Sequence, residues 1–198
     1  MKFETKNKLY FMMKSFLDKI AATILGLLFL PLLIVIALLI KMTSSGPAIH
    51  WSRRIGRKNT EFLMPKFRTM KIDAPQVATH LFSDSKSFIT PIGAILRKTS
   101  LDELPQLWSV LTGKMSLVGP RPALYNQYDL IEQRTKCGVE CLKPGITGWA
   151  QINGRDELPI AKKVELDLEY LTRCSFKFDL IILLKTFTKV VFREGVHH

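Results

Sequence analysis

The 198-residue chain has the length of one domain, and its 29 Lys and Arg against 17 Asp and Glu give a formal net charge of +12. This excess of positive charge predicts an anionic partner: nucleic acid, acidic lipid or a phosphorylated substrate. The three cysteines, Cys137, Cys141 and Cys174, form no Cys-x-x-Cys pair and have no neighbouring histidine. A zinc site is therefore disfavoured, and we interpret them as reduced thiols.

The first long feature is an uncharged apolar run from Ile20 to Ile40. A straight helix over these residues would measure about 31 Å, close to the hydrocarbon thickness of a bilayer. No Ala-x-Ala-like cleavage site precedes Lys41, which disfavours a signal peptide. The pattern predicts an N-terminal segment with a membrane-inserted helix over residues 1–41, followed by a domain over residues 42–198.

Pro31 lies near the centre of this run, where it removes a helical hydrogen bond to Leu27 and predicts a kink or a break. Basic residues flank the run on both sides: Lys2, Lys6, Lys8, Lys14 and Lys19 before it, and Lys41, Arg53, Arg54, Arg57 and Lys58 after it. The positive-inside rule therefore favours both ends in the cytosol. A helix that breaks at Pro31 and returns to the same face satisfies this rule. A kinked single span is the alternative, because prolines also occur in spanning helices.

Beyond the membrane segment, residues 48–51 predict a short strand or an interfacial segment, and residues 71–90 predict a loop or a short helix. Between them, Lys66-Phe67-Arg68-Thr69-Met70 alternates polar and apolar side chains, which is typical of a strand with Lys66 and Arg68 on one face. These two cations are candidates for binding a phosphate or a lipid headgroup. A solvated strand edge is the alternative.

Two adjacent carboxylates precede an apolar helical pattern in the stretch Ser100-Leu101-Asp102-Glu103-Leu104-Pro105. Proline favours the first helical position, so the helix is predicted to begin close to Pro105. Asp102 and Glu103 then lie at its N-terminus, where ionised carboxylates are favoured and are able to act as nucleophiles or Mg2+ ligands. The alternative is a capping box, Ser100-x-x-Glu103, that only satisfies backbone donors.

Two arginines accompany the acidic pair. Arg97 precedes Asp102 by five residues, where it either meets an anion or pairs with the carboxylates. Arg121 stands between Pro120 and Pro122, which hold the backbone extended and suit an arginine that presents its fork to a phosphate. A plain turn with a surface arginine is the alternative. Because no Gly-x-Gly-x-x-Gly or Walker loop occurs, a pyrophosphate is expected to be held by Arg, Lys and Mg2+.

The C-terminal part contains two predicted helices. The first starts at Pro159, and Asp167 lies beside its apolar stripe, so this carboxylate is expected to be paired structurally or to belong to a site. The second, from Phe176 to Phe192, is apolar but interrupted by charges, which disfavours a membrane crossing. It is predicted to lie in the headgroup zone or to pack under the domain.

In this order, the motifs resemble the bacterial sugar transferases, the monotopic phosphoglycosyl transferases that act on polyprenol phosphate. The resemblance runs from the membrane segment through residues 66–70, 97–105 and 119–122 to residues 143–155. It implies an α+β, mainly helical, membrane-associated monotopic protein with an N-terminal re-entrant helix, amphipathic interfacial helices and a small cytosolic catalytic domain. Leu30 precedes Pro31 here, where many relatives have a serine.

The resemblance also implies a ping-pong reaction at the cytoplasmic face of the bacterial inner membrane. Asp102 would attack the sugar-bearing phosphorus of a UDP-sugar and release UMP, and polyprenol (undecaprenyl) phosphate would then take the phosphosugar. Glu103 would be the partner of Asp102, and both carboxylates would be ligands in the Mg2+ environment. The further residues expected to contact substrate or its phosphates are Lys66, Arg68, Arg97, Arg121, Arg155 and Asp167.

The expected partners are a UDP-sugar, polyprenol phosphate and anionic membrane lipid, without nucleic acid. Small members of the family often use N-acetylated or deoxy amino sugars, so an N-acetylated amino sugar is the expected donor group. UDP-galactose or UDP-glucose is the alternative donor, and a non-catalytic, membrane-tethered basic binding module is the alternative function. The transfer would be the first membrane step of glycoconjugate assembly. No pattern in the chain indicates an oligomeric state.

Overall fold

The computed structural model describes residues 8–74, 88–154 and 158–192, which form a mainly helical chain with two small sheets. The helices are α1 (Lys8–Thr43), α2 (Pro91–Lys98), α3 (Leu107–Leu111), α4 (Tyr128–Lys136), α5 (Trp149–Ile152), α6 (Ile160–Arg173) and α7 (Phe176–Phe192). The strands are β1 (Ile49–Ile55), β2 (Glu61–Phe67), β3 (Ser116–Val118) and β4 (Gly145–Thr147). The predicted α+β, mainly helical class is confirmed.

Helix α1 is long and apolar enough to cross a membrane, and the rest of the protein covers little of its most apolar stretch. Large side chains such as Leu27, Leu28 and Ile34 are exposed along it. Such a surface is stable in hydrocarbon and unfavourable in water, which agrees with the predicted membrane association. Pro31 lies inside one continuous helix. A complete break at Pro31 is therefore not found, whereas a kink, the other form of the prediction, leaves a helix continuous.

Both halves of α1 also pack against the domain that follows it. Before Pro31, Ala22 is fully buried in a core cluster with Phe62, Met64, Leu107, Val110 and Met115. After Pro31, Ile36 and Ile40 are buried in a second cluster with Ala48, Phe67 and Leu96. The helix therefore has one stripe in the protein core on each side of the proline, while its other faces are exposed.

A buried polar cluster joins the N-terminal end of α1 to α6 and α7. The ammonium of Lys14 lies 2.7 Å from Asp179 Oδ2, which also accepts a hydrogen bond of 2.8 Å from the Tyr10 hydroxyl. The other carboxylate oxygen, Oδ1, accepts a 2.7 Å hydrogen bond from the Tyr170 hydroxyl. Lys14, Asp179 and Tyr170 are all buried. A lysine that precedes the first apolar segment thus pairs with the aspartate that interrupts the second.

Strands β1 and β2 form an antiparallel hairpin, with Ile49 opposite Phe67 and His50 opposite Lys66. The predicted strand over residues 66–70 was wrong in its position, because β2 ends at Phe67 and Arg68 and Thr69 follow it. The reason is the length of β1: its residues from Ile55 back to Ile49 pair with Glu61 to Phe67, so no residue of β1 is left to pair with the chain after Phe67. Lys66 and Arg68 consequently do not share a strand face.

Strands β3 and β4 form a short parallel pair, with Ser116 opposite Gly145 and Val118 opposite Thr147. The strand predicted at residues 116–118 is confirmed. The backbone after β3 lies very close to the turn before β4, because a Cβ on Gly145 would overlap the Gly119 backbone nitrogen. Gly145 also donates its backbone N–H to the Pro120 carbonyl over 2.9 Å. This close approach fixes the loop that carries Arg121.

Helix α7 packs under the domain through one face and exposes another apolar face. Phe178 and Ile182 are buried in a core cluster with residues of α6 and β3. On the outer side, Leu180, Leu184 and Phe187 are exposed. The prediction that this segment packs under the domain is therefore confirmed for one face, and the outer face has the composition expected of an interfacial helix.

Candidate active site

The acidic pair lies in a 3-10 helix over Leu101–Gln106, and the α-helix α3 begins only at Leu107. The predicted helix start near Pro105 was therefore two residues early. Ser100 precedes the 3-10 turn with a left-handed φ of 56°, and its side chain caps no backbone N–H within the described residues. The backbone N–H of Ser100 donates to the Arg97 carbonyl. The Glu103 side chain, which a capping box would direct to that N–H, contacts cations. The capping-box alternative is therefore excluded.

Glu103 lies between two cations from distant parts of the chain. Its Oε1 accepts from Lys66 Nζ at 2.9 Å and from Arg121 Nη1 at 3.3 Å. Burial lowers the pKa of Lys66, while the charge of Glu103 acts in the opposite direction. Such hydrogen-bonded pairs between charged groups are the stronger class of side-chain contacts. Lys66, Glu103 and Arg121, which the sequence analysis selected independently, are therefore brought into direct contact.

Arg97 interacts electrostatically with Asp102, the neighbour of Glu103 in the chain. Arg97 is half-buried, and burial lowers its pKa while the charge of Asp102 raises it. Asp102 also acts electrostatically on Lys66. The Arg97 side chain is held by its Nε, which donates a 2.9 Å hydrogen bond to the Thr69 hydroxyl. Two carboxylates and three cations thus share one small region, in which positive charge is in excess.

Arg68 is directed away from this region. Its guanidinium donates to the Ser44 carbonyl at 3.0 Å, to the Ser44 hydroxyl at 2.7 Å and to the Ser45 carbonyl. These acceptors form the turn that follows α1, and Arg68 is buried against them. Arg68 thus joins β2 to the end of the membrane helix. Both terminal nitrogens of Arg68 are thus engaged by the protein, which disfavours the predicted phosphate contact.

Asp167 is almost completely buried and forms an ion pair with Arg134 of α4. Its Oδ2 accepts from Arg134 Nη2 at 2.7 Å and from Nε at 2.9 Å. Burial raises the pKa of Asp167, against the opposing charge of Arg134. Arg134 also donates to the Arg121 carbonyl over 2.8 Å. The structural pairing predicted as one alternative for Asp167 is therefore found, and it supports the Arg121 loop. Arg155 lies outside the described residues.

The profile of the bacterial sugar transferase family matches residues 9–193. The chain belongs to this family. Among curated relatives, it is 38% identical over 194 residues to the UDP-glucose:undecaprenyl-phosphate glucose-1-phosphate transferase of Xanthomonas campestris pv. campestris, covering 94% of this chain and 40% of that protein. It is 35% identical to the exopolysaccharide production protein ExoY of Rhizobium meliloti, covering 93% and 88% of the two chains.

A third relative has a name that specifies a different sugar. It is the UDP-N-acetylgalactosamine-undecaprenyl-phosphate N-acetylgalactosaminephosphotransferase of Aeromonas hydrophila, 34% identical over 190 residues that cover 93% of this chain and 45% of the relative. The chain thus spans about two fifths of the length of the named glucose and N-acetylgalactosamine enzymes and most of the length of ExoY. The predicted family is confirmed.

The carboxylates near the site bear on whether Mg2+ could bind there. No group of three or more His, Cys, Asp or Glu side chains that could hold a metal occurs within residues 8–74, 88–154 and 158–192. Mg2+ commonly binds through one or two carboxylates and completes its shell with waters and substrate phosphates. Asp102 and Glu103 are adjacent in such a pair, and Glu103 Oε1 already contacts two cations. The two carboxylates are therefore compatible with Mg2+ binding of this kind.

Sequence reasoning missed two residues that support the site, Arg134 and Thr69. Arg134 lies on α4, which reads as a polar surface helix, and the buried position of Asp167 was the one signal that a partner cation had to exist. Thr69 lies inside the motif at residues 66–70, but the pattern contains nothing that links it to Arg97. Both contacts join residues about 30 positions apart, with separations of 33 and 28.

Proposed function

We propose that this sugar transferase moves a sugar-1-phosphate from a UDP-sugar to polyprenol phosphate, giving polyprenyl diphosphate sugar and UMP. Family membership and the names of the glucose and N-acetylgalactosamine relatives support this reaction. The observation that carries the proposal is the pairing of Glu103 with Lys66 and Arg121 beside Asp102. This arrangement concentrates positive charge around one carboxylate, as a reaction between anionic phosphates requires.

In the first step, a carboxylate oxygen of Asp102 attacks the sugar-bearing phosphorus of the donor. A P–O bond forms, the bond to the bridging oxygen breaks, and UMP leaves with that oxygen. In the second step, a phosphate oxygen of polyprenol phosphate attacks the same phosphorus, which releases the Asp102 carboxylate and forms the new diphosphate. Aspartate is a competent nucleophile for phosphorus, and the two displacements need no oxidant or additional reactant.

The neighbouring side chains lower the electrostatic cost of both steps. Arg97 and Arg121 are suited to the phosphate oxygens, because a guanidinium binds such groups through two parallel N–H donors. Lys66 holds Glu103 and adds charge at the same position. Asp102 and Glu103 are the residues that would hold Mg2+, which when bound offsets charge on the pyrophosphate as a Lewis acid.

We also propose that α1 is re-entrant and that the site lies at the cytoplasmic face. Lys14 and Ile40 would lie about 39 Å apart in a straight helix, which exceeds a hydrocarbon core of about 30 Å. Lys14 pairs with Asp179 of α7, and Ile40 packs with Leu96 of α2. Both ends therefore contact the same domain, which favours a path that returns to one side over a complete crossing.

Exposed apolar side chains on the domain support a position at the bilayer surface. They are Ile95 on α2, Trp108 on α3, and Leu180, Leu184 and Phe187 on α7. Apolar faces of this kind bind the headgroup and acyl boundary, and the formal charge of +12 favours anionic lipid. For the donor, an N-acetylated amino sugar and glucose are the two candidates, the second supported by the name of the Xanthomonas relative.

The reaction is tested by measuring UMP release from a panel of UDP-sugars with purified protein in nanodiscs that contain undecaprenyl phosphate. Asp102→Asn is expected to abolish release, because the amide is a poor nucleophile. Asp129→Asn changes an exposed carboxylate on α4 and is the matched control. Intact-protein mass spectrometry with donor alone is expected to detect the phosphosugar adduct. Full UMP release by Asp102→Asn would refute the assignment of the nucleophile.

A further inference from the structure

Thr69 follows β2, and its backbone contacts the first turn of α2. It is buried, and its carbonyl accepts the backbone N–H of Thr90 over 3.0 Å and the Thr90 hydroxyl over 3.3 Å. Thr90 is in turn the N-cap of α2, because its hydroxyl accepts the backbone N–H of Gly93 over 3.0 Å. The first turn of α2 is thus tied to the Thr69 backbone by hydrogen bonds.

The close packing of Gly93 makes this connection rigid. A Cβ at Gly93 would overlap the carbonyl oxygen, carbonyl carbon and Cα of Thr69. Only a glycine permits this approach, so α2 contacts Thr69 backbone against backbone. Arg97 lies one turn further along the same short helix. The distance between the Arg97 and Thr69 backbones is therefore set without any contribution from the Thr69 side chain.

The Thr69 hydroxyl makes a separate contact, a hydrogen bond with the Arg97 guanidinium. Arg97 Nε donates a hydrogen bond to Thr69 Oγ1 over 2.9 Å. A guanidinium carries five N–H donors in one plane. With Nε bound, the plane is oriented and the four N–H groups on Nη1 and Nη2 are left for another acceptor, beside the charge of Asp102.

We propose that Thr69 is a positioning residue whose hydroxyl orients the Arg97 fork toward a phosphate of the substrate. The inference rests on the proposed function for the identity of that phosphate, and on the Thr69–Arg97 contact for the role of the hydroxyl. A long arginine side chain has many rotamers, and binding with an unoriented fork must order them. An acceptor at Nε orders them before substrate arrives, which increases affinity through preorganisation.

The test compares Thr69→Val with Thr69→Ser. Valine has the shape of threonine without the hydroxyl, so it leaves Nε without its acceptor, whereas serine keeps the oxygen. We expect Thr69→Val to lower kcat/KM for UMP release about tenfold to a hundredfold, the range of a hydrogen bond to a charged group. We expect Thr69→Ser to stay within about threefold of the wild type. Thr172→Val, which removes an exposed threonine hydroxyl on α6, is the matched control.

A double-mutant cycle with Arg97→Ala separates positioning from general damage to the fold. If the hydroxyl acts through Arg97, Thr69→Val has no further effect once the guanidinium is absent. An equal loss in both backgrounds, an equal loss in Thr69→Ser, or wild-type kinetics in Thr69→Val would each overturn the proposal. Thermal melting is measured on every variant, and a Thr69→Val protein that melts as the wild type attributes the loss to the site.

Binding of UDP, measured by calorimetry on the same proteins, distinguishes this inference from the proposed reaction. A weaker UDP affinity in Thr69→Val, with affinity retained in Thr69→Ser, supports the positioning role even if no UDP-sugar yields UMP. In that case the proposed reaction fails and the role of Thr69 stands. Equal UDP affinity in all variants, together with unchanged UMP release, would show that Thr69 does not orient Arg97.

Discussion

Replacing Asp179 by asparagine removes the nearer of two carboxylates that neutralise Lys14 at the N-terminal end of the membrane helix; the other is Asp18, whose Oδ2 lies 3.8 Å from the ammonium. The ammonium of Lys14 is 2.7 Å from Asp179 Oδ2, and the two residues are 7% and 6% exposed. Asparagine has nearly the same shape and still offers an oxygen to the Tyr10 or Tyr170 hydroxyl. The substitution therefore isolates the effect of charge.

The expected cost follows from this burial. Removing one partner of a buried ion pair typically costs about 3–5 kcal/mol, and the lower end of this range is expected here because Asp18 still compensates part of the Lys14 charge. Against a usual stability of about 5–15 kcal/mol, that is a large fraction. For a chain of this size, about 1 kcal/mol corresponds to about 2–4 °C in Tm, so a cost of about 3 kcal/mol in Asp179→Asn is expected to lower Tm by about 6–12 °C.

Adding Lys14→Met to Asp179→Asn is expected to recover part of the lost stability, because it replaces an ammonium that keeps only the more distant Asp18 as its carboxylate by an apolar side chain of similar length. In the wild-type background, Lys14→Met is expected to destabilise, because it leaves the Asp179 carboxylate buried without its cation. The same substitution thus changes sign between the two backgrounds. This sign reversal is the specific signature of a buried pair, and simple loss of packing does not produce it.

The assay is thermal unfolding in nanodiscs for the two single variants, the double variant and the wild type, analysed as a double-mutant cycle. The exposed pair Lys162 and Glu165, with side chains 48% and 65% exposed, is the matched control. Lys162→Met with Glu165→Gln is expected to show a coupling of at most about 1 kcal/mol. If Lys14→Met destabilises equally in both Asp179 backgrounds, the buried pair does not stabilise the end of α1.

Three further predictions concern the site. Burial lowers the pKa of Lys66, so this side chain loses its proton and its ion pair with Glu103 at a lower pH than an exposed lysine would. In a pH–rate profile, kcat/KM is expected to fall as the pH rises through that pKa, and Lys66→Arg is expected to move the fall to higher pH. Asp167→Asn leaves Arg134 without its carboxylate and is expected to cost about 3 kcal/mol in denaturant unfolding and to lower turnover through the Arg121 loop; unchanged turnover in a destabilised variant would disconnect the pair from the loop. EDTA is expected to stop UMP release and Mg2+ to restore it, and release that is indifferent to chelation would exclude a metal at Asp102.

The sequence by itself determined the features that depend on local composition. An uncharged apolar run specifies a membrane helix because transfer of its side chains out of water is favourable wherever the rest of the chain lies. The short strand at residues 116–118, the mainly helical class and the acidic pair were likewise recognised from local patterns, and the order of several motifs indicated the family.

Only the tertiary structure decided which charged groups meet. Glu103 pairs with Lys66 across 37 positions, Asp167 with Arg134 across 33, and Lys14 with Asp179 across 165. Periodicity reports which face of an element is buried, but the partner of a buried charge depends on which elements pack together. For this reason Arg68, two residues from Lys66, binds the turn after α1, while Thr69, with no charge of its own, contacts the arginine of the site.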